Sequence, residues 1–139
     1  MRRSLFPRRS DGDPPLARWP RLAGESLDWE IQSRGNVTVV LVEGELDVGT
    51  APRLAGQLGP LADEGGHLIL DMSGVRFCDC AGLSLFLRLA KHATAAGGSL
   101  HLAALTAPVR RLLTLAKLDD VLPVTATVAD VLAELDRAS

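Results

Sequence analysis

One segment constrains the fold more than any other. Val37-Thr38-Val39-Val40-Leu41-Val42-Glu43 is apolar and β-branched at almost every position. A run of that kind reads as a strand, and a strand with no polar face belongs in a sheet covered on both sides. Helices supply such cover, and the chain provides them in alternation with further strands. Upstream, Leu27-Asp28-Trp29-Glu30-Ile31 alternates like a half-buried strand, and Arg34-Gly35-Asn36 supplies a hairpin turn into the central run. Gly44-Glu45-Leu46-Asp47 is expected to end it.

The rest of the chain follows the same rhythm. Thr50 is a plausible N-cap for a helix with Leu54, Leu58 and Leu61 on one stripe, weakened or kinked at Gly59-Pro60. Gly65-Gly66 precedes a short buried strand from His67 to Asp71, and a loop through Ser73-Gly74-Val75 is expected after it. A second helix from about Gly82 to Ala96 turns Leu83, Phe86, Leu87 and Ala90 inward and Ser84, Arg88 and Lys91 outward, and Gly97-Gly98 stops it. Leu100 to Ala104 reads as a strand. Pro108 to Lys117 reads as a helix with Val109, Leu112, Leu113 and Ala116 on one face. Pro123-Val124-Thr125 is a short edge element. Thr127 and Asp130 open a last helix that packs Val128, Val131, Leu132 and Leu135. The order ββαβαβα(β)α predicts an α/β sandwich: a mixed, mostly parallel sheet of four to five strands with about four helices.

With 139 residues there is room for one domain. Hydrophobic residues make up 47% but aromatics only 4%, so the core is built from Leu, Val and Ala. Residues 1 to 25 combine Arg, Pro, Gly and Asp without apolar period and read as a disordered leader, leaving 26 to 139 as the domain. Arg2, Arg3, Arg8, Arg9, Arg18 and Arg21 fall in that leader against Asp11, Asp13 and Glu25. The remainder holds 9 basic and 14 acidic residues, a formal charge of −5. An acidic domain argues against direct binding of nucleic acid. Arg2-Arg3 hints at an export signal, but Pro7, Arg8 and Arg9 follow where an apolar stretch is required. No run approaches the roughly 18 apolar residues needed to span a bilayer, and a cytoplasmic location is expected. The only cysteines, Cys78 and Cys80, are too close for an unstrained disulfide and are expected to be reduced.

Catalytic chemistry finds little support. Asp71 and Asp79 flank one loop, but no nucleophile, base and orienting group accompany them, so Asp71 is read as ending a strand and Asp79 as stabilising the following turn or helix start. His67, His92 and His101 lack metal-ligand spacing, and no phosphate-cradling glycine motif occurs. Neither an enzyme nor a cofactor is expected. The informative stretch is Leu70-Asp71-Met72-Ser73-Gly74-Val75-Arg76-Phe77-Cys78-Asp79-Cys80-Ala81-Gly82-Leu83. It carries a strand into a loop that delivers Cys80 to a helix N-terminus, where unpaired N–H groups make any change of charge strongly felt. On physical grounds alone an ordinary strand-to-helix turn, with Cys78 as a small buried hydrophobe, accounts for it as well.

This stretch resembles the signature of STAS-domain anti-sigma-factor antagonists, approximately D-[LF]-S-x-[VL]-x-[FY]-x-D-S-[SAT]-G-[LI], through Asp71, Ser73, Val75, Phe77, Asp79, Gly82 and Leu83. Gly44-Glu45-Leu46-Asp47 is similar to the family's segment after the second strand, and Leu118 to Val124 to its link into the final helix. The resemblance covers about residues 27 to 136. It implies a non-catalytic module that binds an anti-sigma factor, often a serine kinase with an ATP-binding fold, and so frees a sigma factor to regulate transcription. In that cycle the kinase phosphorylates a serine after the motif Asp, adding roughly −1.5 to −2 charges to a close-packed interface. This chain has Cys80 at that position, so binding without a phosphate switch there is the expectation. Ser84 as a substitute acceptor and Cys80 as a redox switch are two further readings.

The resemblance places the partner surface on Gly44, Glu45 and Asp47 in one loop, Asp79, Cys80, Ala81 and Gly82 in another, and Ser84, Leu85, Arg88 and Leu89 along the next helix. Leu85 and Leu89 either supply apolar contact area or widen the core face. The rival reading is a STAS subunit of a larger assembly, such as a stress-signalling complex or a lipid-transporting ABC system.

Overall fold

The computed structural model describes residues 27–138. The leader expected at residues 1 to 25 lies outside them. Nine elements follow in the anticipated order: β1 (Leu27–Arg34), β2 (Val37–Leu46), α1 (Ala51–Asp63), β3 (His67–Cys78), α2 (Cys80–Ala95), β4 (Ser99–Ala103), α3 (Ala107–Leu115), β5 (Val124–Thr125) and α4 (Val128–Ala138). The strands lie side by side in chain order. β1 and β2 form an antiparallel hairpin around Gly35, whose φ of 61° suits a residue without Cβ. Every later pairing is parallel, as crossover helices dictate.

The two sides of the sheet are closed unequally. On one side α1, α2 and α3 build the main core, with Val40, Val42, Leu46, Leu54, Leu58, Leu70, Met72 and Phe86 sealed from solvent. On the other, among the described residues, α4 seats Val131 against Val39, Ile69 and Ala103, with Val128, Leu132 and Leu135 at the margin. Both faces of the central strands are therefore buried, as the unbroken apolar run of β2 required.

Three features differ from the sequence reading. β2 does not stop at Gly44; Leu46 continues the buried row of Val40 and Val42. β3 does not stop at Asp71 but runs seven residues further, to Cys78. Its pairing with β2 slips twice, each time giving β3 one extra residue: Leu41 faces Asp71 while Glu43 faces Gly74, and Gly44 faces Val75 while Glu45 faces Phe77. The buried row consequently steps by three, through Met72, Val75 and Cys78, and the alternation that marks a strand is lost from the sequence. Inside the first slip, Asp71 Oδ1 accepts from the Ser73 N–H at 3.0 Å and the Ser73 hydroxyl at 2.8 Å. A Cβ on Gly74 would lie 3.0 Å from the Val42 carbonyl oxygen and 3.2 Å from Glu43 Cα, tighter than ordinary contact. A larger residue there would require the paired strands to give by a few tenths of an ångström. Asp71 is thus a mid-strand bulge residue and not a strand terminus.

The third difference is the phase of α2. Its buried residues are Gly82, Leu83, Leu85, Phe86, Leu89 and Ala93. The expected Leu83 and Phe86 are thus joined by Leu85 and Leu89, and the stripe is centred on the spacing i, i+3, i+4, i+7 from Gly82. Leu87, expected in the core, is 37% exposed. The helix packs against α1 as well as the sheet, which moves the centre of its apolar stripe. α1 carries Pro60 in its last turn without ending there, and its stripe is Ala51, Leu54, Leu58 and Ala62.

Candidate functional site

Two turns meet at the end of the sheet where β2 and β3 finish. Leu46 pairs with Cys78, and the Asp79 N–H donates to the Leu46 carbonyl at 3.0 Å, which ties the turn after β3 to the end of β2. Asp79 then caps α2: with extended backbone angles (φ −119°, ψ −165°) its Oδ1 accepts from the Ala81 N–H at 2.8 Å. Its carbonyl accepts from Gly82 at 3.0 Å and Leu83 at 3.1 Å, starting the helix. Asp79 therefore stabilises the helix start, as its sequence position suggested. Cys80 falls on the first helical position, with its side chain exposed.

The neighbouring cysteine has the opposite environment. Cys78 is 8% exposed, and its thiol points back to the Asp79 carbonyl at 3.5 Å. Burial, reinforced by the negative charge of Asp79 and by Cys80, pushes its pKa up to about 12. Both thiols are free. Gly82 is buried against this pair, and a Cβ there would collide with Cys78 Sγ and approach Leu46 Cβ to 3.2 Å. Its role is to let the first turn of α2 sit on the ends of two strands.

The turn after β2 is self-contained. Asp47 Oδ1 accepts from the N–H groups of Gly49 at 2.9 Å and Thr50 at 3.0 Å. The fully buried Thr50 hydroxyl donates to the Glu45 carbonyl at 2.6 Å and accepts from the Asp47 N–H at 3.0 Å. Thr50 occupies the N-cap place but makes no side-chain cap bond; its hydroxyl closes the turn instead. Glu45 reaches Arg76 at 4.0 Å, an exposed ion pair of small energetic weight.

The predicted partner residues divide. Glu45, Asp47, Asp79, Cys80, Ala81, Ser84 and Arg88 are brought to one end of the molecule or along the open side of α2, all with some surface exposure. Gly44 and Gly82 are buried and act through the backbone they permit. Leu85 at 1% and Leu89 at 3% exposure belong to the core, which decides between the two readings they allowed. Sequence reasoning missed Val48, 78% exposed at the tip of the Asp47 turn, and Phe77, 48% exposed opposite Glu45. The signal for Val48 was an apolar residue inside a turn held by Asp47 and Thr50. For Phe77 it was a large ring out of phase with the buried Val75 and Cys78. Exposed apolar side chains beside ordered backbone are what a docking surface needs.

Among the described residues no group of three or more His, Cys, Asp or Glu side chains could hold a metal ion. No described helix is long and apolar enough to cross a membrane. The histidines are structural: His67 Nδ1 and His101 Nε2 share the Ser99 hydroxyl at 2.7 and 2.9 Å, and His92 meets Asp63 at 2.9 Å.

Comparison with known proteins agrees with this geometry. A sequence model described as the STAS domain matches residues 28–131. The chain is 32% identical over 101 residues to the anti-sigma-B factor antagonist of Bacillus subtilis (strain 168), covering 73% of this chain and 93% of the relative. It is 27% identical over 116 residues to the anti-sigma F factor antagonist of Paenibacillus polymyxa, covering 82% and 99%. Among solved structures, an anti-sigma factor antagonist from Mycobacterium paratuberculosis superposes with a TM-score of 0.71 at 28% identity, covering 78% of this chain and 93% of that one.

Proposed function

The chain belongs to the STAS domain family, and from that premise we propose that it is an anti-sigma-factor antagonist whose partner surface is the junction of the Asp47 and Asp79 turns. Its relatives named as such antagonists support the regulatory role. The observation that carries the site is the Asp79-capped turn, which holds Cys80 exposed on the first position of α2. Glu45, Phe77 and Val48 lie at the same end of the sheet. Val48 and Phe77 provide the apolar area, and the fixed turns supply the shape, so little ordering entropy is lost on docking.

The partner under this reading is an anti-sigma factor of the serine-kinase type, met in the cytoplasm. A group on residue 80 would stand at the centre of the interface and at the positive end of α2. A serine there would accept phosphate and eject the partner by charge. Cys80 offers a thiol in its place, so capture of the partner is not reversed by ATP. Ser84 lies one turn along the same open face and carries no switch in this reading.

The test is a tagged pull-down from native lysate with and without ATP, using the parent chain, Cys80→Ser and Cys80→Asp. The expected result is a kinase-fold anti-sigma factor retained by the parent in both conditions, released by ATP from Cys80→Ser, and absent from Cys80→Asp. ATP-dependent release of the parent with phosphate mapped to Ser84 would overturn the constitutive reading. Recovery of transporter or stress-complex subunits would overturn the antagonist itself.

A further inference from the structure

Strand alternation puts His67 and Ile69 of β3, and Ser99, His101 and Ala103 of β4, on the face that α4 covers. His67 is in register with Ser99, and Ile69 with His101. The Ser99 hydroxyl oxygen lies 2.7 Å from His67 Nδ1 and 2.9 Å from His101 Nε2, so one hydroxyl joins the two rings. The other nitrogen of His101, Nδ1, is shielded from solvent and has no hydrogen-bond partner among the described residues. Glu134 of α4 acts on His101 through its charge. Glu64, in the turn before β3, lines a small surface pocket with His67. β2 presents Val37 and Val39 opposite His67 and Ile69, and β5 presents Thr125 opposite Ala103. Asp71 stands beyond Ile69 in the same row, bonded to Ser73. The remaining charged residues of α4, Asp130, Asp136 and Arg137, are exposed.

Each hydrogen bond of this relay holds one proton. With His101 Nδ1 buried and no acceptor beside it, the neutral ring carries its proton on Nε2. His101 Nε2–H then donates to Ser99 Oγ, and the Ser99 hydroxyl donates to His67 Nδ1. An additional proton has two places to go. On His67 Nδ1 it would face the Ser99 hydroxyl proton and break that hydrogen bond. On His101 Nδ1 it would create a buried cationic N–H without an acceptor, a costly state. Burial and the neighbouring His67 accordingly lower the His101 pKa, with Glu134 opposing them. Relief requires water or a carboxylate at His101 Nδ1, and so movement of the helix packed on this face. That helix is lightly held: Val131 is its buried residue, and Val128, Leu132 and Leu135 are partly buried. We propose that the His67–Ser99–His101 relay is a proton-operated latch, which keeps α4 seated while neutral and releases it from β3 and β4 when one more proton binds. Release uncovers the apolar strip of Val39, Ile69 and Ala103, on the side of the sheet away from α1, α2 and α3.

Hydrogen exchange of the full-length chain tests the latch, read by mass spectrometry at about pH 7.5 and about pH 5.5 with labelling times matched for the intrinsic rates. At the higher pH α4 is expected to be protected, but less than α1 and α2, the mark of local opening. At the lower pH α4 should lose protection several-fold. His101→Gln keeps an N–H for Ser99 but does not titrate, and most of the pH response of α4 should vanish in it. His92→Gln alters the exposed pair with Asp63 and should leave that response as in the parent. The proposal is overturned if α4 opens only together with α1 and α2, or has no protection at either pH. It is equally overturned if α4 protection is independent of pH, or responds in His101→Gln as in the parent. Circular dichroism checks that His101→Gln folds. Should it not fold, nitrogen NMR of the imidazoles in the parent decides. A bare His101 Nδ1 at about pH 7.5 that takes up a proton as α4 loses protection supports the latch. A proton already on Nδ1 at that pH, or uptake without loss of α4 protection, overturns it.

Discussion

The two faces of the sheet are built on different terms. The face under α1, α2 and α3 is a continuous apolar cluster running from Leu27 to Leu122. Among the described residues, the face under α4 buries Val39, Ile69, Ala103 and Val131 and, beside them, holds the polar set His67, Ser99 and His101. The functional turns grow from the first face: Cys78 and Leu46 end its buried rows, and Gly82 seats α2 on both. A partner surface has to be rigid where it is exposed, and dense packing directly beneath it supplies that rigidity. The second face carries fewer apolar groups and more titratable ones, so it should respond to pH and salt where the first responds to volume.

The sharpest contrast is a pair of truncations. Phe86→Ala empties a fully buried site of the first face and is expected to cost about 3–5 kcal/mol. Val131→Ala on α4 is equally buried but removes only two carbon groups, with an expected cost of about 1.5 kcal/mol. Denaturant unfolding measures both, and equal costs would show that the larger side chain filling the first face adds no stability over the smaller one on the second.

Overpacking at the site comes next. Gly82→Ala forces a methyl onto Cys78 Sγ and is expected to destabilise by about 1–3 kcal/mol. Adding Cys78→Ala should restore part of that loss, less than all of it because Leu46 Cβ stays 3.2 Å away. A double-mutant cycle reads the coupling, and strict additivity would show that the glycine serves some other purpose.

The pH response should come from the second face. His101 has its pKa lowered from 6.5, first by burial and then by the nearby charge of His67, with Glu134 acting against both. The folded chain therefore holds this proton less tightly than the unfolded chain. Stability from this group is complete above the ordinary histidine range and is lost as pH falls through 6.5 toward the lowered value. Unfolding free energy should be lower at about pH 5.5 than at about pH 7.5, and His101→Gln should flatten that difference. A parent whose stability is flat over this interval would show that the second face does not sense protons.

The smallest effect involves no stability change. A maleimide at about pH 8 should modify Cys80 alone in the native chain and both thiols after unfolding, since Cys78 is buried with a pKa of about 12. Mass spectrometry of the two samples decides it. Labelling of Cys78 in the folded chain would mean that the turn under the partner surface opens readily.

Much of this was legible in the chain itself. The order of elements, the hairpin at Gly35, the helix stop at Gly97 and the parallel pairings follow from apolar periodicity and turn chemistry, which are properties of neighbouring residues. The Asp79 cap was legible for the same reason, because a cap bonds only two or three residues along. Three things required the tertiary structure. The extent of β3 past Asp71 depends on two bulges set by its register with β2, and a three-residue step resembles neither strand nor helix. The phase of α2, which buries Leu85 and Leu89 and frees Leu87, was fixed by α1 lying against its flank, a contact between segments distant in the chain. The opposite characters of Cys78 and Cys80 were decided by which side of one turn faces Leu46 and Gly82. Local rules determined which elements form; contacts between elements far apart in the chain determined which side chains were left outside to meet a partner.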